Sequence, residues 1–335
     1  MRNLLKKTYF HLSDIEKLIS DDADEWIEEI RRLARNIRLR NFGRTVRLYR
    51  PIYVSNYCVN DCSYCGCGIS IKRRRKILST DEITAECEAV RKDRIDSVLL
   101  VAGEDKSVCS VEYLVSAITT MKKFFSFVAI EVGAFSLDEC KAFLKAGADS
   151  FVLYQETYAP ERYRILHKGP KKNFEKRLTA LQIVADAGFQ SVGMGILLGI
   201  ANWHNDAISL AKYAEEFRRK NWDCAMSFSF PRLRPPTDEN FPQFKVSEAQ
   251  LEKIMLAFRI VFPDAEINIS TRENAAFREK VVQTCATTMS AASATFPGAY
   301  TSSKNEEELE QFEIEDKRTV WEICSSLEKS NLQPV

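Results

Sequence analysis

The chain has almost no net charge and lacks the long apolar segments that place a protein in a membrane. Its 335 residues include 48 lysines and arginines against 47 aspartates and glutamates. This balance gives no bulk attraction to nucleic acid or to an anionic membrane. Residues 1–7 lack the apolar core of a signal peptide, and no run of about 18 apolar residues occurs that could span a bilayer. We therefore expect neither a membrane nor a nucleic-acid partner.

The ten cysteines lack the pattern of a disulfide framework. Apart from one short cluster they are scattered along the chain. Disulfide frameworks are typical of small secreted domains, so scattered thiols favour a reducing compartment, and we expect a cytoplasmic protein. Most of the cysteines outside the cluster fall in segments that read as helices or strands, where we expect small buried residues: Cys87, Cys109, Cys140, Cys224 and Cys324.

The clearest motif is the run Cys58-Val59-Asn60-Asp61-Cys62-Ser63-Tyr64-Cys65, which follows a strand-like segment. Three thiolates in one short loop suit an iron–sulfur cluster, because thiolate sulfur is a soft ligand that matches iron. A cubane has four irons, so three local cysteines leave one iron open to a small molecule. Structural zinc with Cys67 as a fourth ligand is the alternative, but Cys65-Gly66-Cys67 is too tight for a good second zinc knuckle.

Strand-like and helical segments alternate after Gly43, and the pattern predicts eight strands with seven connecting helices. This order is typical of a parallel (β/α)8 barrel of the TIM type, an α/β fold. A doubly wound open sheet is the alternative, although no strand followed by GxGxxG occurs. We expect strands at 46–55, 96–102, 127–133, 149–154, 191–198, 224–230, 265–270 and 285–291, and connecting helices at 79–93, 110–124, 136–147, 172–188, 205–220, 247–261 and 273–281.

The chain is expected to form one catalytic domain with an addition at each end. We predict an N-terminal helical segment at 1–43, with a helix over 12–41, then the barrel at 44–300. Residues 301–335, which include an acidic run at 306–310, are predicted to be a C-terminal extension that packs on the barrel. Active sites of such barrels lie at the carboxyl ends of the strands. Polar segments follow several predicted strands there: 102–105, 154–158, 229–235 and 270–273.

Taken together, these segments resemble the aromatic amino acid lyases of the radical S-adenosylmethionine (SAM) enzymes, and most nearly the 2-iminoacetate synthases. The resemblance covers nearly the whole chain. It implies a lyase that cleaves the Cα–Cβ bond of L-tyrosine through a 5′-deoxyadenosyl radical, giving 2-iminoacetate (dehydroglycine) and p-cresol for the thiazole of thiamine. A related lyase or mutase acting on tryptophan or another amino acid is the alternative. The matching segments are 48–65, 99–104, 154–158, 229–235, 270–273, 290–293, 296–300 and 309–312.

The resemblance also implies where the cofactors bind. Cys58, Cys62 and Cys65 would hold a [4Fe-4S] cluster, whose open iron takes the amine and carboxylate of SAM. Gly103 and Glu104 resemble the family's Gly-Gly-Glu turn, which receives the SAM ammonium group; a carboxylate is the expected acceptor there.

Further contacts to SAM are implied by the same comparison. Glu156 would accept from the ribose hydroxyls, and Arg177 would neutralise the SAM carboxylate. Tyr64 would lie near the adenine. Cys67 departs from the family pattern, since an aromatic or other bulky apolar residue is usual there, and we expect it not to bind iron.

A zwitterionic substrate needs a fixed cation for its carboxylate, and Arg272 is the first candidate, because a guanidinium binds a carboxylate through two parallel hydrogen bonds. Ser270 is expected to help. Arg232 and Arg234 are second candidates, with a structural salt bridge at the barrel rim as their alternative role. His167 and His204 could reach a substrate, but we expect surface or capping positions for both.

The basic run 72–76 lies in the loop immediately after the cysteine motif. In a chain of balanced charge it favours a solvated loop or a docking patch for an acidic electron donor, such as flavodoxin or ferredoxin, over a nucleic-acid site. The resemblance adds thiazole synthase as a possible partner and an amino acid, L-tyrosine, as the small-molecule substrate.

Overall fold

Eight parallel strands form a closed barrel in the computed structural model, which describes residues 1–234, 244–302 and 311–335. Each strand pairs with the next along the chain, and β1 pairs with both β2 and β8, so no open edge remains in the ring. The predicted (β/α)8 barrel is confirmed, and an open doubly wound sheet is excluded. The strands are β1 (Thr45–Ser55), β2 (Ser97–Ala102), β3 (Phe127–Glu131), β4 (Ser150–Val152), β5 (Ser191–Gly195), β6 (Ala225–Ser229), β7 (Glu266–Ile269) and β8 (Thr288–Ser290).

Helices cover the outside of the barrel, and several begin at a capping box. The side chains of Ser79, Ser136 and Ser247 each accept a hydrogen bond from the backbone N–H three residues later. The backbone N–H of each serine donates the reciprocal bond to the side chain of that later residue, which fixes where the helix starts. The helices are α1 (Asp14–Leu18), α2 (Ile27–Phe42), α3 (Thr80–Lys92), α4 (Val111–Met121), α5 (Leu137–Ala146), α6 (Pro160–Leu166), α7 (Phe174–Asp186), α8 (Trp203–Lys220), α9 (Glu248–Val261), α10 (Ala275–Thr284) and α11 (Val320–Lys329).

The N-terminal segment differs from the single helix predicted over 12–41. It forms α1, a 3₁₀ helix at Asp21–Trp26 and then α2. The break lies at Ser20-Asp21-Asp22, and such short polar residues compete with helical hydrogen bonds in a helix interior. The short helix α6 was not predicted; it starts with Pro160, a residue favoured in a first helical turn.

The core lies between the barrel and its helices, and the strand alternation decides which side chains enter the barrel. Ile52, Val98 and Leu100 point outward into the main core and are at most 1% exposed. Their neighbours in the strands, such as Tyr53 and Leu99, point into the barrel and form a separate inner cluster. Because side chains alternate along a strand, Glu131, the last residue of β3, shares the inward face with Ala129.

The C-terminal residues return to the barrel at both of its ends. Gln311 at the mouth accepts a hydrogen bond from the Tyr53 hydroxyl at 2.8 Å. At the opposite end a short strand, β9 (Gln333–Pro334), pairs with the start of β1. Neither α11 nor β9 was predicted. Pro235 and the stretch 306–310, which belong to predicted segments, lie outside the described residues.

Among the described residues, no helix combines the length and apolar character needed to cross a membrane.

Candidate active site

A single cavity at the carboxyl ends of the strands brings together most of the residues that the sequence singled out. Its walls come from β1, β2, β3, β6, β7 and β8, and from loops that follow the strands, including the one after β4. Strands placed this way hold their side chains more rigidly than loops would. The predicted residues that line it are Cys58, Cys62, Tyr64, Cys65, Gly103, Glu104, Glu156, Arg177, Ser270 and Arg272.

The cysteine loop is held in place by Arg75, which belongs to the basic run. Its guanidinium donates hydrogen bonds to the carbonyl oxygens of Asn56 at 2.7 Å, Cys67 at 2.8 Å and Gly68 at 2.5 Å. One side chain therefore satisfies three loop carbonyls. The basic run is thus not simply a solvated patch, since Arg75 is part of the loop's own structure.

Three N–H groups point at the sulfur atoms of the loop. The backbone nitrogen of Cys67 lies 3.5 Å from Sγ of Cys65, and the side-chain amide of Gln311 lies 3.6 Å from the same atom. The side-chain amide of Asn60 lies 3.7 Å from Sγ of Cys58. Hydrogen bonds of this kind stabilise thiolates that bind a metal and tune their potential.

Glu104 follows β2 and forms an ion pair inside the cavity. Its Oε1 lies 2.7 Å from Nη1 of Arg177, and its Oε2 accepts from the side-chain amide of Asn60 at 2.9 Å. Burial opposes ionisation, but the opposing charges of Arg177 and Lys171 hold the pKa of Glu104 below its usual value. The preceding Gly103 is required by close packing, since a Cβ there would lie 2.2 Å from the carbonyl oxygen of Tyr57.

Glu156 forms a second ion pair beside the first. Its Oε1 lies 2.8 Å from Nζ of Lys171 and 3.7 Å from Nη2 of Arg177. Burial opposes ionisation here too, but Lys171 and then Arg177 hold the pKa of Glu156 below its usual value. Glu156 has a φ of 72°, a conformation that costs energy in non-glycine residues and tends to occur at functional sites.

Arg272 and Ser270 enter the cavity from the end of β7. The Arg272 guanidinium lies 3.4 Å from the ring centroid of Phe312, and its backbone nitrogen donates to Ser270 Oγ at 3.4 Å. No hydrogen bond or ion pair joins this guanidinium to another described residue. The ring fixes the position of Arg272 and leaves the edge of its guanidinium available.

Comparisons with known proteins agree with this geometry. The Radical SAM superfamily model matches residues 52–211, and the Biotin and Thiamin Synthesis associated domain matches residues 229–333. The 2-iminoacetate synthase of Salmonella typhimurium is 36% identical over 329 residues, which cover 97% of this chain and 87% of that protein. The chain belongs to the radical SAM superfamily, within the family of 2-iminoacetate synthase.

This radical SAM chain is also similar to two proteins with other names. The 3-methylornithine synthase of Methanosarcina acetivorans is 30% identical over 269 residues, covering 78% of this chain and 73% of that protein. The X-ray structure of the FeFe-hydrogenase maturase HydG from Carboxydothermus hydrogenoformans has a TM-score of 0.92 at 28% identity, covering 99% of this chain and 77% of that one. The resemblance found in the motifs is therefore confirmed.

Radical SAM enzymes use a [4Fe-4S] cluster and SAM, and the residues of this chain fit both cofactors. The three cysteines of the motif share one cavity wall with the N–H donors that cluster thiolates need. The paired charges beside them offer a carboxylate for an ammonium group and a guanidinium for a carboxylate. The cluster would bind to Cys58, Cys62 and Cys65, with SAM over Glu104, Glu156 and Arg177.

Cys67 lies beside the cluster cysteines in this radical SAM chain. Its interaction with Cys65 is the main reason that the pKa of Cys65 lies below its usual value. The Cys67 side chain is buried and lines the same cavity. That Cys67 does not bind iron remains a prediction.

Tyr64 is anchored by His167, which the sequence placed at the surface or at a helix cap. The surface position was wrong, because His167 is completely buried, but the capping position is confirmed, since His167 is the C-cap residue of α6. Its Nδ1 lies 2.7 Å from the carbonyl oxygen of Tyr163 and must donate to it, so Nε2 accepts from the Tyr64 hydroxyl at 2.6 Å. Burial, aided by the charge of Lys171, lowers the pKa of His167 to about 3, so the ring is neutral.

Arg232 is not brought together with the other predicted site residues. It forms two hydrogen bonds with the carboxylate of Glu273, one of them at 2.9 Å, and a third with the carbonyl oxygen of Val246 at 3.0 Å. Arg234 lies 3.5 Å from the same carboxylate. The structure therefore favours the alternative role for both arginines, which is a salt bridge at the rim of the barrel.

Sequence reasoning missed two charged residues of the cavity, Lys171 and Glu131. Lys171 lies in the segment between β4 and α7. The sequence could not predict that it pairs with Glu156. Glu131 ends β3, which was predicted to run to residue 133, so its carboxylate was counted within a strand. A charged residue near the carboxyl end of a barrel strand was the available signal.

Proposed function

We propose that this chain is a 2-iminoacetate synthase, which cleaves the Cα–Cβ bond of L-tyrosine to 2-iminoacetate and p-cresol for thiamine biosynthesis. The observation that carries the proposal is one cavity in which the cofactor residues face a separate guanidinium, Arg272. Similarity to 2-iminoacetate synthase along 87% of that protein supports the same reaction.

The cofactors and the protein have separate tasks in this proposal. When bound, the cluster and SAM supply the one-electron chemistry that removes a hydrogen atom from the amino group of the substrate. The chain holds the cluster through its three cysteines and orients SAM through Glu104, Glu156 and Arg177. It also encloses the substrate within the barrel, away from water.

Arg272 is proposed to bind the carboxylate of the amino acid. A guanidinium offers two parallel N–H donors that match the two oxygens of a carboxylate. Its stacking on Phe312 at 3.4 Å limits its motion, so less conformational freedom is lost when the substrate binds. Ser270 lies beside it and offers a hydroxyl to the same group.

The inner end of the cavity is proposed to receive the phenol ring. Asn268 donates from its side-chain amide to the hydroxyl of Tyr49 at 3.0 Å and to Oγ of Ser229 at 3.2 Å. Tyr53 and Tyr154 add aromatic faces to the same wall. Aromatic faces with hydroxyl and amide groups behind them suit a ring that carries its own hydroxyl.

An acidic electron donor such as flavodoxin or ferredoxin is proposed to dock beside the cluster. The loop after the cysteines exposes Ile69 and Ile71 together with Lys72, which combines apolar and basic surface. Complementary charge speeds the encounter of such partners.

Thiazole synthase is proposed to consume the product. The ten cysteines are free thiols, which supports function in a reducing cytoplasm.

Anaerobic reconstitution with iron and sulfide tests the proposed function. The expected protein binds four irons per chain, cleaves SAM when reduced, and forms p-cresol only when L-tyrosine is added. L-tryptophan in a parallel assay tests the alternative substrate. Formation of 5′-deoxyadenosine with tyrosine but without p-cresol would show that the substrate assignment is wrong.

A further inference from the structure

The charged side chains that line the cavity fall into two groups. Most are already paired: Glu104 with Arg177, Glu156 with Lys171, and Glu273 with Arg232. Among the described residues of the lining, the charged groups of two side chains form neither a hydrogen bond nor an ion pair. They are the guanidinium of Arg272 and the carboxylate of Glu131.

Glu131 occupies a rigid position in the barrel wall. It is the last residue of β3 and lies opposite Val101 of β2 and Val152 of β4 in the sheet. Its side chain shares the inward face with Ala129 and lines the cavity, where it is half-buried. The side chains of the valines beside it cannot hydrogen-bond to a carboxylate, so a group in the cavity has to do so.

A carboxylate that faces a cavity without a protein partner can bind a cationic group of a ligand. Burial is the main reason that the pKa of Glu131 is raised to about 7, and the negative charge of Glu156 adds to it. A group of this kind in a cleft is a candidate for binding or proton transfer. The charged and titratable groups that act with Glu131 are Tyr49 and Tyr53 of β1, Tyr154 and Glu156 after β4, Lys171, Arg177 of α7, and Arg272 after β7.

We propose that Glu131 binds the amino group of the amino acid substrate and accepts one proton from it. This inference rests on the proposed function, in which Arg272 holds the carboxylate of the same molecule. A zwitterion carries one cation and one anion, and the cavity leaves one carboxylate and one guanidinium without partners among the described residues. β3 and β7 lie on opposite sides of the eight-stranded ring, and the charges of Glu131 and Arg272 interact across it, so the two long side chains can converge on one amino acid.

The proton transfer prepares the substrate for loss of a hydrogen atom. The ammonium group gives one proton to the Glu131 carboxylate, which leaves a neutral amine and a neutral carboxyl group, and no electron moves. The neutral amine has a lone pair that stabilises a nitrogen radical, whereas an ammonium group has none. Glu131 is therefore a catalytic residue in this proposal as well as a binding residue.

Binding of two ligands to wild-type protein and to E131Q tests the contact. The ligands are L-tyrosine and 3-(4-hydroxyphenyl)propanoate, which lacks only the amino group, each measured anaerobically with cluster and SAM present. E131Q is expected to bind tyrosine about 10-fold more weakly or worse, since a charge-assisted hydrogen bond is lost. Its affinity for the propanoate and for SAM is expected to be unchanged.

Asp138→Asn is the matched control, because Asp138 is an exposed residue in the first turn of α5, after the same strand. It removes the same charge and is expected to leave both affinities as in wild type. The assignment would be overturned if E131Q weakened the binding of both ligands equally, weakened the binding of SAM, or left the binding of tyrosine unchanged.

The pH dependence of p-cresol formation tests the proton transfer. In wild type, kcat/KM is expected to fall as the pH drops below about 7, because a protonated Glu131 cannot accept the ammonium proton. In E131Q this acidic limb should be absent, and kcat should recover as the pH approaches the pKa of the free amine. E131D, which keeps a carboxylate, should retain the limb with reduced kcat.

The outcomes separate the two proposals. Wild-type protein that forms p-cresol, with an E131Q variant of the same kcat, KM and pH profile, overturns the role of Glu131 and leaves the proposed function standing. Wild-type protein that cleaves SAM with tyrosine and forms no p-cresol overturns the proposed function and the role of Glu131 in it.

Discussion

The hydroxyl of Tyr64 lies 2.6 Å from Nε2 of His167, and this bond links the cysteine motif to a loop that follows more than 100 residues later. His167 is held in turn by the carbonyl oxygen of Tyr163. Tyr64 precedes the last cysteine of the motif, so the pair joins the cluster loop to the wall of the cavity where SAM is expected to bind. This hydrogen bond fixes the Tyr64 ring and does not move a proton.

Loss of the His167 ring is expected to weaken SAM binding. H167A removes the acceptor of the Tyr64 hydroxyl and should raise the Kd for SAM about 5- to 10-fold, as expected for one buried hydrogen bond. Y64F should have a similar effect, and the double variant should be no worse than either alone. H204A is the control, because His204 does not line the cavity. Additive effects of Y64F and H167A in equilibrium dialysis would contradict this link.

The buried histidine also predicts how stability depends on pH. Its pKa is lowered to about 3 in the folded state, whereas an unfolded histidine titrates near 6.5. As the pH falls below about 6.5, the unfolded chain binds a proton that the folded chain does not, so stability falls. H167Q should remove about 1 kcal/mol of the loss in unfolding free energy between about pH 6.5 and 5.5. Identical slopes for wild type and H167Q in denaturant titrations would show that this histidine is not the cause.

Arg75 is expected to matter more than its neighbours in the basic run. R75A leaves three loop carbonyls without their donor, so the cysteine loop should loosen and iron content after reconstitution should fall by half or more. The free energy of unfolding should fall by about 2 kcal/mol. K72A, which changes an exposed residue of the same run, should alter neither quantity. An R75A protein with full iron content would show that the loop does not depend on this side chain.

Replacing Arg272 and replacing Arg232 are expected to have different effects. R272A should raise KM for tyrosine at least about 10-fold with little loss of stability, because a substrate contact is removed. R232A should lower the free energy of unfolding by about 2 kcal/mol, because it weakens the pairing of the buried Glu273. Its KM should change little. A reversed pattern would place the substrate carboxylate at the rim.

The sequence was sufficient to predict the barrel, because its strands alternate with capped helices in a regular order. Several strands were predicted too long, as at β3, where residues up to 133 were included because the sequence stays apolar past the last residue paired in the sheet. Residues at strand ends, such as Glu104 and Arg272, could be found by position alone.

The remaining site residues depend on tertiary contacts that no local pattern encodes. His167 and Lys171 lie between α6 and α7, whereas Tyr64 lies in the loop after β1 and Glu156 lies before α6. Gln311 reaches Cys65 across 246 positions of the chain. Such contacts follow from how the barrel closes, so the sequence could not show which residue meets which.

The most direct test of the account is whether SAM binds to an iron that the protein leaves open. Electron–nuclear double resonance on the reduced cluster, with SAM labelled with ¹⁵N at its amino group, measures this contact. We predict a ¹⁵N coupling in wild type and in C67S, because Cys67 is not a ligand. A wild-type cluster without this coupling, which gains it in C67S, would show that Cys67 occupies the fourth iron and would contradict the account.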